Sequence, residues 1–327
     1  MNGSQVALTR CQSYRQPDIS QALARQFDLL GGLSKFIRAG DKVLIKPNFI
    51  APRSHHEAAA QTHPAVVLEL ARLLKDFGAK PFVGDSPAWS NVYACARALE
   101  LEEPLRRLSV PIRQLDKPKG CLIGRKKLRI GISSVALDAD AIINLPKFKS
   151  HQQLVTTFAV KNMFGCVSGK QKALWHFRKG GNTGAFCEML IDIYAFLGPV
   201  VTIIDAVVVM EGPGPIRGKS KHLGWLIGGT EPIACETICC KLIDIKPEIV
   251  PIITTAQHIG FGCADINKIE ILGDDFSQNI YRDFKLPKLT PLRFSFVHVC
   301  KSIGKQILLL AGFTDDKRRH ADGQVKK

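Results

Sequence analysis

Apolar and polar positions alternate with two different periods along the first part of the chain. Short apolar runs predict strands at residues 5–10, 41–49 and 80–85. Between them, apolar residues spaced three and four positions apart predict helices at residues 18–37 and 63–79. Strands that alternate with helices in this way form a parallel sheet with helices packed on its faces.

The same alternation continues through the second half of the chain. Its elements are strands at residues 139–146, 200–212 and 222–229, helices at residues 184–198 and 231–245, and a short edge or closing strand at residues 266–273. We therefore predict an α/β fold, with a parallel or mixed sheet covered by helices. Two α/β subdomains with a cleft between them are expected, followed by a basic C-terminal tail.

The domain limits follow from changes in composition. A glycine-rich stretch at residues 178–185 predicts a boundary, which gives a first subdomain at residues 1–180 and a second at residues 181–276. Residues 277–327 hold eleven Lys and Arg against four Asp and include a helix of mixed apolar and cationic residues. Two interpretations stay open for this helix: packing on the body of the protein, or contact of residues 290–327 with an anionic membrane.

Composition limits the class of partner. The formal net charge of +16 favours a small anionic substrate, a nucleotide-like cofactor or an anionic membrane. Nucleic acid is not expected, because no RNA- or DNA-binding motif is present. The ten cysteines include no CxxC pair, and the N-terminus lacks an apolar signal region. We expect a cytoplasmic protein, with peripheral membrane contact as the alternative if the tail binds lipid.

Polar residues follow the second and third predicted strands. Lys46 and Asn48 end one strand, and Asp85 and Ser86 end the next. Because ligands bind at the carboxyl ends of strands in doubly wound sheets, we predict that these four residues bind a cofactor. The alternative is that Asp85 and Ser86 cap the following helix.

Positive charge concentrates in one stretch, LPKFKSHQQLVTTFAVKNMFGCVSGKQKALWH, which holds five lysines, two histidines and no carboxylate. Lys147 and His151 follow an apolar strand, and Lys161 begins a loop with Asn162 and Gly165. Burial and neighbouring cations lower the pKa of a lysine, which suits a base or a nucleophile. We predict catalytic roles for Lys147, His151 and Lys161, and cofactor-binding roles for Lys161, Asn162 and Gly165.

A second candidate loop, MEGPGP, begins with Glu211 after an apolar strand. Alternating glycine and proline make this loop rigid, so we predict that Glu211 faces the lysines from the second subdomain and takes part in catalysis. Lys170, Lys172 and Lys179 are interpreted as solvated surface lysines.

Several other positions admit two interpretations. Asp205, inside an apolar strand, is either a site residue or a structural one. Thr62 or His63 is either a helix cap or a ligand contact. Cys235 and Cys239 share one face of a predicted helix, where buried packing is favoured over a metal site.

The chain resembles the domain-of-unknown-function 362 family (DUF362). The resemblance rests on the blocks GDKVLIKPNF, THPAVVLELARLLKDFGAKPFVGDSP, LDADAIINLPKFKSH, AVKNMFG, MEGPGP and GTEPIACE, which occur in family order. Many relatives carry a ferredoxin-like segment for four-iron clusters, and this chain has no ferredoxin-type iron–sulfur motif.

The cation-rich stretch is also similar to the segment of lactate-racemase-type enzymes that holds a nickel-pincer nucleotide. His151, Lys161 and His176 occupy the matching positions, ten and fifteen residues apart. The resemblance implies that His151 is an acid/base, Lys161 the covalent cofactor anchor and His176 a metal ligand. The chain differs from that family in having Phe158, Ala159 and Val160 where glycines are expected, and GDS where a second catalytic histidine is expected.

Two functional hypotheses follow. The first is an enzyme that acts on a small carboxylate or phosphate substrate in a Lys/His pocket, either racemase- or epimerase-like or redox. The alternative is a non-catalytic accessory protein that binds a metal, a nucleotide or an iron–sulfur-related partner and contacts a membrane through its basic tail.

Overall fold

A ten-stranded sheet runs through the part of the chain that the computed structural model describes, residues 4–54, 59–88, 90–169 and 171–292. The strands of this sheet and of a separate two-stranded hairpin are β1 (Ser4–Arg10), β2 (Lys42–Pro47), β3 (Lys80–Asp85), β4 (Ile112–Gln114), β5 (Pro118–Ile123), β6 (Leu128–Ser133), β7 (Ala141–Leu145), β8 (Lys147–His151), β9 (Val155–Thr157), β10 (Val201–Glu211), β11 (Lys219–Gly229) and β12 (Ile269–Gly273). The helices are α1 (Asp18–Leu29), α2 (Pro64–Asp76), α3 (Val92–Ala98), α4 (Glu102–Arg107), α5 (Ser134–Leu137), α6 (Ala159–Asn162), α7 (Gln171–Lys179), α8 (Thr183–Leu197), α9 (Pro232–Leu242) and α10 (Pro251–Ile259).

The strand order is β12-β1-β11-β10-β7-β2-β3-β4, with β8 beside β10 and β9 beside β8, while β5 and β6 form a separate hairpin. The central strands β10, β7, β2, β3 and β4 pair in parallel, and β11 is antiparallel to both of its neighbours. The predicted α/β fold with a mixed sheet is confirmed, and β12 occupies the edge position predicted for it.

Side-chain alternation along the strands builds a core on each face of the sheet. Val43 and Ile45 of β2 belong to the core that includes residues of α1 and α2, whereas Leu44 belongs to the core that includes residues of α8 and α9. A strand that is buried on both faces has a nearly continuous run of apolar residues, and such a run is easily recognised in the sequence.

The first predicted helix is too long. It ends at Leu29 rather than at residue 37, because Gly31 and Gly32 follow with φ of 102° and 91°. These left-handed conformations end a helix, and glycine adopts them at low cost.

The sheet crosses the predicted boundary between subdomains. The stretch at residues 178–185 spans the loop between α7 and α8, yet β1 pairs with β11 on one side and with β12 on the other. The domain limits at residues 180 and 276 stay predictions, and most of the predicted tail helix lies outside the described residues. Within the described ranges, no helix has the length and apolar character needed to cross a membrane.

Candidate functional site

A cavity of about 360 Å³ opens beyond the carboxyl ends of β2, β3 and β7. The ionisable side chains that line it are Lys46, Asp85, Lys147, Lys149, His151, Lys161, Lys172 and His176. Among the described residues, five lysines thus share the cavity wall with a single carboxylate. The parallel topology produces this arrangement, because the ends of adjacent parallel strands lie at one edge of the sheet.

Lys46 and Asp85 form a buried ion pair across the ends of β2 and β3. The distance between Lys46 Nζ and Asp85 Oδ1 is 2.8 Å, and both side chains are almost fully buried. The other carboxylate oxygen of Asp85 accepts a hydrogen bond from Phe49 N at 2.8 Å. Gly165 packs against this pair, since a Cβ at that position would lie 2.6 Å from Asp85 Oδ1.

The helix-capping alternative for Asp85 and Ser86 is wrong. The next helix, α3, is capped by Asn91, whose side chain accepts from Ala94 N. Gly165 leaves room for the ion pair and also lines the cavity, and its cofactor-binding role stays a prediction.

A second buried pair holds Lys147. Its Nζ donates to Asp205 Oδ2 and to the Tyr14 hydroxyl, each at 2.8 Å, and the Tyr14 hydroxyl donates to Asp205 Oδ1 at 2.7 Å. Asp205 also accepts from His63 N at 2.9 Å. Burial lowers the pKa of Lys147, although Asp205 opposes that shift. Asp205 therefore acts on the cavity through Lys147.

His63 caps α2. Its Nδ1 accepts a hydrogen bond from Ala65 N at 3.2 Å, and its ring stacks on Tyr14 with 3.5 Å between centroids. Of the two predicted options for this histidine, the structure shows the cap.

The remaining three lysines have no carboxylate partner among the described residues. Lys149 Nζ donates to Asn48 Oδ1 at 2.5 Å and to Ala60 O at 2.7 Å, and Lys172 Nζ donates to Ser86 O. In the described part of the chain, no hydrogen-bond acceptor pairs with Lys161 Nζ, which lies 4.8 Å from the centre of the Phe164 ring. We name Lys149, Lys161 and Lys172 the carboxylate-free lysines.

Burial, followed by repulsion from other lysines of the cavity, lowers the pKa values of the carboxylate-free lysines. The pKa of Lys149 falls to about 7 because of burial and then the charge of Lys161. Burial is also the largest cause for Lys161 and Lys172, whose pKa values fall to about 8. A substantial fraction of each amine is therefore neutral near pH 8, and each would regain its proton beside an anion.

Both histidines of the cavity are neutral at pH 7. Burial, followed by the charges of Lys161 and Lys149, lowers the pKa of His151 well below its ordinary value. His151 Nδ1 accepts from Gln153 N at 3.1 Å, so the neutral ring carries its proton on Nε2. Burial lowers the pKa of His176 to about 3, and its ring packs against Phe186 with 4.7 Å between centroids.

Two asparagines and a buried glutamate position α6, the short helix that carries Lys161 where the sequence predicted a loop. Asn162 Nδ2 donates to Lys46 O at 3.0 Å, and Asn48 Nδ2 donates to Asn162 Oδ1 at 3.0 Å. From α9, Glu236 Oε1 accepts from Val160 N at 2.8 Å. Lys161 is thereby held between the end of β2 and α9.

Glu211 is not among the residues that line the cavity. Its Oε2 accepts from Lys285 N at 2.9 Å, so this carboxylate binds backbone of the segment after β12 instead of facing the lysines. The expectation that Glu211 faces the lysines is thus wrong. The rigid loop after it does reach the cavity, through Pro215 and Ile216.

Several residues of the cavity wall were not predicted from the sequence, and Lys172 and Thr157 are two of them. Lys172, interpreted as a surface lysine, lines the cavity from α7. Thr157 also lines it, and its buried Oγ1 has no hydrogen-bond partner among the described residues. The helical register of Lys172 relative to the buried Trp175 and His176 was an available signal, whereas nothing in the sequence marks Thr157.

The described residues contain no group of three or more His, Cys, Asp or Glu side chains arranged to hold a metal ion. Cys235 and Cys239 are fully buried in the core, as the favoured interpretation predicts. A metal bound by His176 would need its other ligands from a cofactor, so the role of His176 stays a prediction.

Residues 43–241 match the family described as Domain of unknown function (DUF362). The chain belongs to this family. A thylakoid-associated protein of Synechocystis sp. is 32% identical over 305 residues, which cover 93% of this chain and 94% of that protein. The predicted resemblance to the DUF362 family is therefore confirmed, and it extends over nearly the whole chain.

One solved structure shows the same fold at low sequence identity. The lactate racemase apoprotein from Thermoanaerobacterium thermosaccharolyticum matches with a TM-score of 0.50 and 14% identity, covering 74% of this chain and 57% of that one. A protein from Thermotoga maritima matches with a TM-score of 0.42 and 12% identity, covering 71% of this chain and 59% of that one. This DUF362 chain thus spans a little over half the length of the racemase chain, and the likeness concerns the fold alone.

Proposed function

We propose that the cavity binds a small anionic ligand, a phosphorylated or carboxylated substrate or a nucleotide-like cofactor. The observation that carries this proposal is the set of carboxylate-free lysines, three cationic side chains in the cavity wall that have no carboxylate at ion-pair distance among the described residues. Burying cations without an opposite charge destabilises a fold, and a bound phosphate or carboxylate removes that cost.

The reaction that this geometry supports best is proton transfer on the bound substrate, as in a racemase or epimerase. Lys161, with a pKa of about 8, has a neutral fraction that can accept a proton from a carbon next to a carboxylate. His151, protonated on Nε2 when neutral, can return a proton to that carbon. An oxidoreductase is the second enzymatic candidate, and it requires a cofactor that accepts hydride.

A nickel-pincer-type nucleotide fits the same residues. Lys161 is half-buried with no acceptor in the described part of the chain, His176 is neutral as a metal ligand must be, and Lys149 and Lys172 can bind a phosphate. Such a group supplies a metal-bound centre for hydride or proton transfer when bound. In that case Lys161 serves as its anchor, and His151 remains the acid/base.

Calorimetric titration with inorganic phosphate, pyrophosphate and small carboxylates tests ligand binding. We expect anions to bind and to raise the melting temperature, and matched neutral amides to do neither. Equal binding of anions and neutral amides would show that the cavity does not select charge.

Substrate turnover in D₂O tests proton transfer. Deuterium should enter the substrate carbon with the wild-type protein and not with His151→Gln, although His151→Gln should still bind the ligand.

An intact-mass spectrum with metal analysis, on protein purified from its native host, tests the cofactor. A mass excess that maps to Lys161, together with nickel, would support the pincer-type nucleotide. An unmodified and metal-free protein with full turnover would leave Lys161 as the base.

Peripheral membrane contact through residues 290–327 is a second candidate function. The name of the Synechocystis relative, a thylakoid-associated protein, favours it. In the full-length chain, Lys301→Gln with Lys305→Gln should weaken binding to anionic vesicles, and added salt should weaken it further. Unchanged binding by this double variant would remove the tail from the proposal.

A further inference from the structure

The hairpin formed by β5 and β6 has one face in the core and one in solvent. Ile123, Ile130 and Ile132 are buried, whereas Leu122 is 64% exposed. Strand alternation places Leu122 and its cross-strand partner Arg129 together on the solvent face. The core therefore does not account for a leucine at this position.

The hairpin is also strongly cationic. Between residues 117 and 129 it carries six exposed cations and no carboxylate. The cations are Lys117, Lys119, Arg125, Lys126, Lys127 and Arg129. On α8, Glu188 pairs with Lys126 at 2.5 Å and Asp192 lies beside Gly124 of the turn, and the exposed Asp116 directly precedes Lys117. These three acidic side chains offset only part of the charge of six cations.

One of these cations, Lys127, lies at a backbone position that favours glycine or asparagine. Lys127 closes the turn with φ of 47°, a left-handed conformation that glycine and asparagine adopt at lower cost. A lysine there adds positive charge to the tip of the hairpin but does not help the turn to form.

We propose that this hairpin is a docking surface for a lipid bilayer with anionic headgroups, in which Leu122 enters the interfacial region and the surrounding cations contact lipid phosphates. Cations near an anionic membrane and an apolar side chain at its interface both add to binding. A nucleic-acid partner is less consistent with the hairpin, because residues 117–133 contain no aromatic side chain on which bases could stack. The surface is separate from the tail at residues 290–327.

Vesicle flotation with the full-length chain tests the proposal, using phosphatidylcholine vesicles with and without phosphatidylglycerol. Removing one surface cation is expected to weaken binding to anionic vesicles about fivefold, so Arg125→Gln with Lys127→Gly should weaken it about 25-fold. Lys127→Gly relaxes the backbone, so the double variant should remain folded. Leu122→Ser should weaken binding about tenfold at unchanged charge.

The matched control is Lys241→Gln with Lys246→Gln, which removes the same charge from exposed positions at and beyond the end of α9. We expect it to change binding less than about twofold if the hairpin is the contact. Equal losses in the two double variants would show that net charge alone governs binding and would overturn the proposal. Unchanged binding by Leu122→Ser, combined with loss of RNA binding in the hairpin double variant, would instead identify a polyanion surface.

Discussion

The two groups of lysines in the cavity wall differ in what neutralises them. Lys46 and Lys147, at the strand ends, each contact a buried carboxylate at 2.8 Å. Lys149 and Lys161 contact only neutral groups among the described residues, and their pKa values fall to about 7 and about 8. The paired lysines are therefore parts of the scaffold, and the carboxylate-free lysines are the groups that we propose bind an external anion.

The largest expected effect is a loss of unfolding free energy when one member of a buried lysine–carboxylate pair is removed. Lys46→Met leaves Asp85 buried without its partner, and removing one member of a buried pair costs about 3–5 kcal/mol of unfolding free energy. Urea unfolding measures this loss. Lys46→Met combined with Asp85→Leu should recover most of it, and the exposed Lys75→Met is the control with a change below about 0.5 kcal/mol. A loss under about 1 kcal/mol for Lys46→Met alone would contradict a scaffold role for the pair.

Changing a carboxylate-free lysine should act on binding instead of stability. Lys161→Met removes a charge-assisted contact with the anion, so affinity should fall about 10- to 100-fold while the free energy of unfolding stays equal or rises. Isothermal titration with phosphate measures the affinity. Lys179→Met, at the end of the same α7 that carries Lys172 but outside the cavity lining, is the control and should bind as the wild-type protein does. Equal losses in both variants would remove Lys161 from the site.

The lowered pKa values of the same lysines predict how the free energy of unfolding depends on pH. Below about pH 7, Lys149 is charged in both the folded and the unfolded protein, and the folded state bears the full cost of burial. Between about pH 7 and its ordinary pKa of 10.5, the folded state has released the proton and the unfolded state has not. The free energy of unfolding should therefore rise with pH in this window. Urea unfolding at several pH values measures the slope, which Lys149→Met should reduce.

Phosphate should change that slope, because a bound anion returns the protons to the carboxylate-free lysines. We expect proton uptake on binding near pH 8, and an affinity that falls as the pH rises further. Calorimetry in two buffers of different ionisation enthalpy measures the uptake. Proton release on binding would contradict the proposed contact.

The smallest expected effect concerns Thr157. Thr157→Val keeps the shape of the side chain and removes a hydroxyl that lines the cavity without a partner among the described residues, so phosphate affinity should fall about two- to tenfold. Thr156→Val is a close control, because its Oγ1 is equally buried and unpartnered in that part of the chain but does not line the cavity. The same loss in both variants would indicate a general effect on β9.

Much of the fold could be predicted because its signals are local. The strand containing Lys46 and the strand ending at Asp85 are short apolar runs bounded by polar residues, and a parallel sheet places such ends side by side. Helix α1 was predicted too long because the spacing of apolar residues continues past Gly31 and Gly32, whose left-handed conformations end the helix. The hairpin of β5 and β6 was not predicted, since its outward face is cationic.

Glu211 and Lys172 show where sequence reasoning about the site reached its limit. Glu211 follows an apolar strand much as Asp85 does, yet its carboxylate binds Lys285 N from a distant segment. Lys172 looked like one of three surface lysines, yet α7 directs it to Ser86 at the end of β3. In both cases, a contact with a residue far away in the sequence determines whether the side chain lies in the cavity wall.

The amino-acid sequence was enough to predict the α/β alternation, the family and the candidate residues Lys46, Asp85, Lys147, His151 and Lys161, because strand ends and charge density are local features of the chain. Which of the lysines are neutralised depends on the packing of distant segments. Lys147 is paired by Asp205, 58 residues away, whereas Lys161 is not paired within the described part of the chain. The pKa of a buried lysine depends on the distance to charges brought in by other strands, and that distance is a property of the packed sheet.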